Sequence, residues 1–441
     1  MKPLRLLITL IVLGTILFTA ACGTTTKPTA KATVPEIPTP APVKLVILTH
    51  WGEESLLKPM QALLDEYMAL NLNVTIEYQA VTFDQLLTKI TTARAAGISP
   101  DIYHIYNLWM PDFVKGGMLV APSDDIVAEI RAAYSEGSAG AVTVNNQVWG
   151  YPTEINTYQL LYNKKMFADA GITKAPETFD ELKDDACKLT VKNADGTIVH
   201  TGMAVMPGWD SGVVHPFLSL LWSNGGEYLS SDLSKSVFNS PEGQATLNLY
   251  MDLIKQGCID PGLGGSFNDF VTGKSAMIIM ANWLRATLQT TFVDGYENVG
   301  VAPIPHGANG KSTTLQYNWL WTVDNSSPNK DEAWKLLKWL NSPRGEGKAS
   351  PMGEYLTTAL GAIPSRVSDQ KALADTLSEY FLATYLASTS TTMPEPILVG
   401  GQEIKTALQT DVEAAWYGQM TTEEALADAA KEADRILTEN K

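Results

Sequence analysis

The chain has 441 residues, 45% hydrophobic and 18% charged, with a net charge of -16 and a pI near 4.8. Its length exceeds what one hydrophobic core usually serves, so two domains are expected. So acidic a chain offers no basic face, which excludes nucleic acid as a partner.

Lys2 and Arg5 precede an apolar run from Leu6 to Phe18, and Thr19-Ala20-Ala21-Cys22 follows. Charge, apolar run and small residues in that order make residues 1–22 a secretory signal, with a run too short for a transmembrane span. Residues 23–42, rich in Thr, Pro, Ala and Lys, cannot bury enough apolar surface to fold and read as a tether. Val43 to Thr49 is a short apolar strand, and Leu56, Leu57, Met60, Leu63, Leu64 and Tyr67 then fall at helical spacing. Val74 to Ala80 is a second strand. Thr82 with Gln85 predicts a capping box opening the helix Phe83 to Ala96, and Pro100 to Tyr106 gives a third strand. Strand, helix, strand, helix, strand means a mostly parallel sheet, in which ligands sit beyond the carboxyl ends of the strands. Trp51 and Trp109 fall there.

Gly150 and Pro152 predict a break, after which the apolar run Tyr158 to Tyr162 restarts the chain as a buried strand. The stretch from Trp149 to Phe167 therefore reads as a crossing between two lobes. Thr178 with Glu181 predicts another capping box before the helix Phe179 to Leu189, and Asn193 to Thr197 reads as a hairpin turn. Val214 to Trp222 and Ser240 to Gln256 read as helices. Ser275 to Met280 is a buried strand delivering Asn282-Trp283, and Asn298 to Ile304 is another that returns to the first lobe. Tyr317, Trp319 and Trp321 alternate along the next strand and share one face. Asn329 with Glu332 predicts a capped helix through Trp339, and Asn341-Ser342-Pro343 breaks it at a third crossing. The rest is largely helical, with a last capping box at Thr421 and Glu424. Cys187 and Cys258 are an even pair in an oxidising compartment, either disulfide-bonded or two buried thiols.

Several segments share one likeness: Lys44 to Ile47, Pro100-Asp101-Ile102, Tyr-Pro-Thr-Glu at 151–154 with Tyr162-Asn163-Lys164-Lys165-Met166-Phe167, Thr178 to Leu182, Thr272 to Met277, and Lys330 to Trp334. In this order and spacing they resemble the bacterial extracellular solute-binding proteins, the sugar-binding subunits of ABC importers, over almost the whole mature chain. The resemblance implies an α/β, two-lobed periplasmic-binding-protein fold of type II, each lobe a mostly parallel sheet flanked by helices. Lobe 1 would hold residues 43–150 and 300–343, and lobe 2 residues 151–299 and 344–441. Thr19 to Cys22 resembles a lipobox, which implies lipid on Cys22 and an extracytoplasmic protein anchored at the membrane. The implied partners are a carbohydrate and the permease subunits, with the chain itself a monomer.

Sugars present apolar C–H faces to aromatic rings and hydroxyls to carboxylates, amides and guanidinium groups. Of the eleven Trp, Trp334, Trp339 and Trp416 lie on helices and read as packing. Trp51, Trp109, Trp209, Trp283 and Trp319 sit at strand ends or in loops, and Tyr317 shares the face of Trp319. Each alone could be an edge-of-core contact; together they point to a binding surface. Glu53, Asp101, Asn107, Glu154, Asn156, Asp210 and Arg285 stand beside these aromatics. Asp101 also reads as the tie of a turn after Pro100, and Glu53 as solvated loop charge. By the resemblance, Glu154 and Trp283 match positions where relatives touch ligand.

Enzyme chemistry finds little support. Glu53 and Glu154 could pair as in a glycosidase, but no Gly-x-Ser-x-Gly elbow or phosphate loop is present, and five scattered His give no metal spacing. No cofactor or metal is expected. A peptide, polyamine or phosphorylated polyol is the alternative solute, and a surface adhesin the alternative class.

Overall fold

The computed structural model describes residues 41–440 apart from Gly264 and Asn309. The signal, Cys22 and most of the tether lie outside them. No helix among the described residues is long and apolar enough to cross a membrane.

Three parallel strands open the chain: β1 (Val43–Thr49), β2 (Val74–Ala80) and β3 (Ile102–Tyr106). The helices Glu54–Leu70 and Phe83–Ala95 connect them. Helix crossovers cover such a sheet on both faces, so β3 is buried along its whole length. Five longer strands follow: β4 (Tyr151–Asn163), β5 (Ile198–Met203), β6 (Ser275–Ala281), β7 (Val299–Ala302) and β8 (Thr314–Asp324), with four strands of two or three residues besides. All belong to one 12-stranded sheet whose backbone order is β2-β1-β3-β8-β4-β6-β5. The sheet is mixed. The parallel character expected of each lobe holds for β1 to β3 and for β5 with β6, whereas β8 and β4 run antiparallel to their neighbours.

The predicted break at Gly150 and Pro152 is instead the start of one continuous 13-residue strand, β4. Pro152 stands opposite Leu320, beside a register shift at which Thr153 and Glu154 of β4 face the single residue Trp319 of β8. A bulge there removes the demand for the ladder N–H that proline lacks. Gly150 fits because its backbone nears β8 so closely that a Cβ would lie 2.3 Å from the Trp321 carbonyl oxygen.

β7 pairs with residues 160–163 of β4, so residues 300–302 lie with β6 rather than with the first three strands. The tail also divides. Tyr355 packs its ring 5.0 Å from Trp51, while the helices Gly401–Trp416 and Thr422–Glu439 lie on Asp210–Ser223 and Pro241–Lys255.

Cys187 and Cys258 are bonded, with Cα atoms 4.7 Å apart and 71 residues between them in sequence. A closed loop of that size restricts the unfolded chain. Replacing both by Ser is expected to lower the unfolding free energy by about 2–4 kcal/mol, read as a lower urea midpoint. An unchanged midpoint would show that the bond does not restrict the unfolded chain.

Candidate functional site

A cavity of about 900 Å³ opens beyond the carboxyl ends of β1 to β3, where a parallel sheet presents its loops. Its walls come from both ends of the sheet. His50, Trp51, Glu53 and Phe83 enter from one side, Trp209, Phe267 and Trp283 from the other, and Glu154, Asn156, Tyr317 and Trp319 from β4 and β8 between them.

The aromatic lining meets at edges and faces. Trp283 lies 6.1 Å from Trp209 and 5.7 Å from Phe267, both near perpendicular. Phe83 closes the gap, 6.5 Å from Trp209 and 5.9 Å from Trp319. Trp209, Phe267, Trp283 and Phe83 are half-buried, so their rings keep faces open to a guest. Trp51 also borders the cavity but is 1% exposed, wedged between Trp321, His104 and Tyr355.

Glu154 is 2% exposed, and its Oε2 has no hydrogen-bond partner. Burial without a cation lifts its carboxyl to about 7. His104 Nε2 lies 3.9 Å away but already meets the Thr153 hydroxyl at 3.0 Å, and burial drives its pKa well below 6.5, so the two form no ion pair. His50, stacked on His104, is likewise pushed down to about 3 by burial. Asn156 Oδ1, Trp209 Nε1 and Trp51 Nε1 are buried without partners as well. Buried polar atoms in native proteins are nearly always paired, so a set lining one cavity marks where a guest or water would complete them.

Of the residues singled out from sequence, Trp51, Glu53, Glu154, Asn156, Trp209, Trp283, Tyr317 and Trp319 line this cavity. Five others have different duties. Asp101 accepts hydrogen bonds from Val46 N at 2.8 Å, from Asn329 Nδ2 and from Ser327, tying β1 to the turn after β8. Asn107 Oδ1 accepts from Asn318 N at 3.3 Å. Trp109 is buried and donates to Gln402 Oε1 at 2.9 Å. Asp210, the first residue of its helix, accepts from the adjoining Ser211 and from Gln402 Nε2 at 2.6 Å. Arg285 is buried and donates to Glu379 at 3.1 Å. Sequence reasoning missed His50, Phe83, Asp84 and Phe267 in the lining. For Phe83 and Asp84 the signal existed, because they follow β2 at its carboxyl end as Trp51 follows β1.

Behind Tyr106 lies a closed polar cluster. Lys405 Nζ donates to Tyr106 OH at 3.0 Å, to Ser211 Oγ at 2.9 Å and to His215 Nε2 at 2.6 Å, and sits 3.3 Å from Glu395 Oε1. Burial pushes the Glu395 carboxyl up and the His215 imidazole well down. A neutral His215 accepting at Nε2 carries its proton on Nδ1, which faces Tyr158 OH at 3.0 Å; this tautomer is assigned from the network.

Residues 51–347 match the profile of the family described as "Bacterial extracellular solute-binding protein". A Brucella abortus protein named only as a binding protein is 27% identical over 84% of this chain and 88% of its own length. The diacetylchitobiose-binding protein DasA of Streptomyces coelicolor is 25% identical over 81% of each. Among solved structures, maltose-bound MalE3 of T. maritima superposes with a TM-score of 0.77 at 25% identity, over 89% of this chain and 99% of that one. The arrangement is the two-lobed periplasmic-binding-protein fold.

Proposed function

Because the chain belongs to the bacterial extracellular solute-binding proteins, we propose that it captures a carbohydrate between its lobes and delivers it to the transmembrane subunits of an ABC importer. One observation carries the reading: half-open aromatic faces and unpartnered buried acceptors and donors converge in one cavity. Ring faces match the C–H faces of a sugar, and Glu154, Asn156 and Trp209 Nε1 match its hydroxyls. The sugars named for DasA and for MalE3 agree with it. Trp51, Glu53, Glu154, Asn156, Trp209, Trp283, Tyr317 and Trp319 are the ligand contacts in this reading.

The lobes are the two ends of the sheet, hinged where β4 and β8 pass between them, and a guest favours the closed form because only there do both ends touch it. The protein binds without catalysis and acts as a monomer. It is held outside the cytoplasm by lipid on Cys22, with residues 23–42 as the tether. A Cys22→Ser chain would be shed from the cell surface.

A thermal-shift screen over mono- and oligosaccharides tests the reading. A sugar at 100 times its Kd raises the unfolding free energy by about 2.7 kcal/mol, and mass spectrometry recovers it intact. A cleaved sugar, or no response to any sugar, would overturn the proposal. Trp283→Ala is expected to weaken the responding sugar about tenfold or more, the loss of one buried aromatic face. Unchanged affinity in that variant would remove Trp283 from the site.

A further inference from the structure

The charges around the cavity are one-sided. Glu53 and Asp84 stand exposed at its rim and Glu154 lies buried at its base. None of the described lining residues is Lys or Arg, and His50 is neutral. The nearby cations are spent elsewhere: Arg285 on Glu379, and Lys405 on Glu395, Tyr106, Ser211 and His215. The groups facing Glu154 supply no positive charge either, being neutral His104 and the hydroxyl-bearing rings of Tyr317 and Tyr355. Its side chain lines the cavity, and its Oε2 is enclosed without a donor. Trp209, Trp283 and Phe267 add three π faces, whose negative quadrupoles act in the same direction.

We propose that the cavity selects its guest by charge: it takes an amino sugar bearing a free ammonium group in preference to the matching neutral sugar, and rejects uronate and phosphate forms. This rests on the carbohydrate reading for the identity of the guest, though not for the sign of the selection. An ammonium beside Glu154 gives the buried carboxylate the cation it lacks. The aromatic faces hold the same charge from the other side. An anionic substituent meets three carboxylates and no partner.

The test uses the mature chain and three disaccharides of one linkage: the glucosamine dimer, cellobiose and its uronic acid form. At pH 7, where the sugar amine still carries its proton, the glucosamine dimer is expected to bind about tenfold tighter than cellobiose, with no thermal shift from the uronate. Glu154→Gln should erase the difference between the first two. Equal or tighter binding of the neutral or acidic sugar would overturn the proposal. A second measurement needs no sugar. Quenching of the Trp283 share of fluorescence, taken as the difference from Trp283→Phe and scaled for each ion to free N-acetyltryptophanamide, should be stronger with caesium than with iodide. Glu53→Gln with Asp84→Asn should bring the two closer. Equal or stronger quenching by iodide overturns the inference even if some sugar binds. A caesium preference with no carbohydrate bound upholds the charge selection and sinks the carbohydrate reading instead.

Discussion

Replacing Lys405 by Met lowers the unfolding free energy by about 3–5 kcal/mol at pH 8, and by far less at pH 5. Lys405 and Glu395 are both buried, and the lysine also satisfies Tyr106, Ser211 and His215. Removing it leaves a carboxylate enclosed without a cation, which costs more than the pair itself contributes. The pH dependence follows from the sign of the shift. Burial already raises the Glu395 pKa and Lys405 opposes that rise, so the variant raises it further. The folded variant then holds a proton that the unfolded chain releases, and stability falls as pH climbs through the raised value. Changing Glu395 to Gln as well should return most of the loss, because no charge is left unpaired. Urea titrations of both variants at the two pH values check this. Equal destabilisation at pH 5 and pH 8 would show that lost packing, not stranded charge, is the cause.

Glu154→Gln should move stability and affinity in opposite directions. The carboxyl stands near 7 in the fold against 4.5 ordinarily, so the folded protein carries an extra proton between those values and loses stability as pH rises through 7. The gap corresponds to about 3 kcal/mol above pH 7. Gln escapes that penalty, so the variant should match the parent at pH 5 and exceed it at pH 8. Binding should suffer about 10- to 100-fold, the worth of a hydrogen bond to a charged acceptor. Affinity of the parent for a hydroxyl-bearing guest should also rise from pH 5 to pH 7.5, since donors to Glu154 favour its ionised form, and that slope should vanish in Glu154→Gln. A variant no more stable at pH 8 would mean that Glu154 is not held as an acid.

What could be read from sequence was what local pattern encodes. β1 and β2 fall at the residues expected, β1 as a mostly apolar run and β2 as an alternation of apolar and polar residues. The capping boxes show the limit of spacing. Thr421 and Glu424 exchange both bonds, Thr178 receives Glu181 N while Glu181 turns to Glu177, and Thr82 makes no side-chain cap. Spacing permits a box, but the rotamer decides it. Pro152 marked a break only because the bulge beside it in β4 is set by a partner strand about 170 residues further on. Trp109 and Asp210 were grouped with the site by their neighbours in sequence, yet both are claimed by Gln402 from the far end of the chain. The cluster around Lys405 was invisible for the same reason, since its members come from β3, β4 and three later segments.

The unbroken run of backbone bonding from β2 through β8 and β4 to β5 bears on how the protein melts. No flexible connector divides it, and the chain passes across the middle several times before it ends. Neither end owns a complete set of partners, so neither can come apart and leave the other standing. A calorimeter should record a single peak, with measured and van't Hoff enthalpies in a ratio near one.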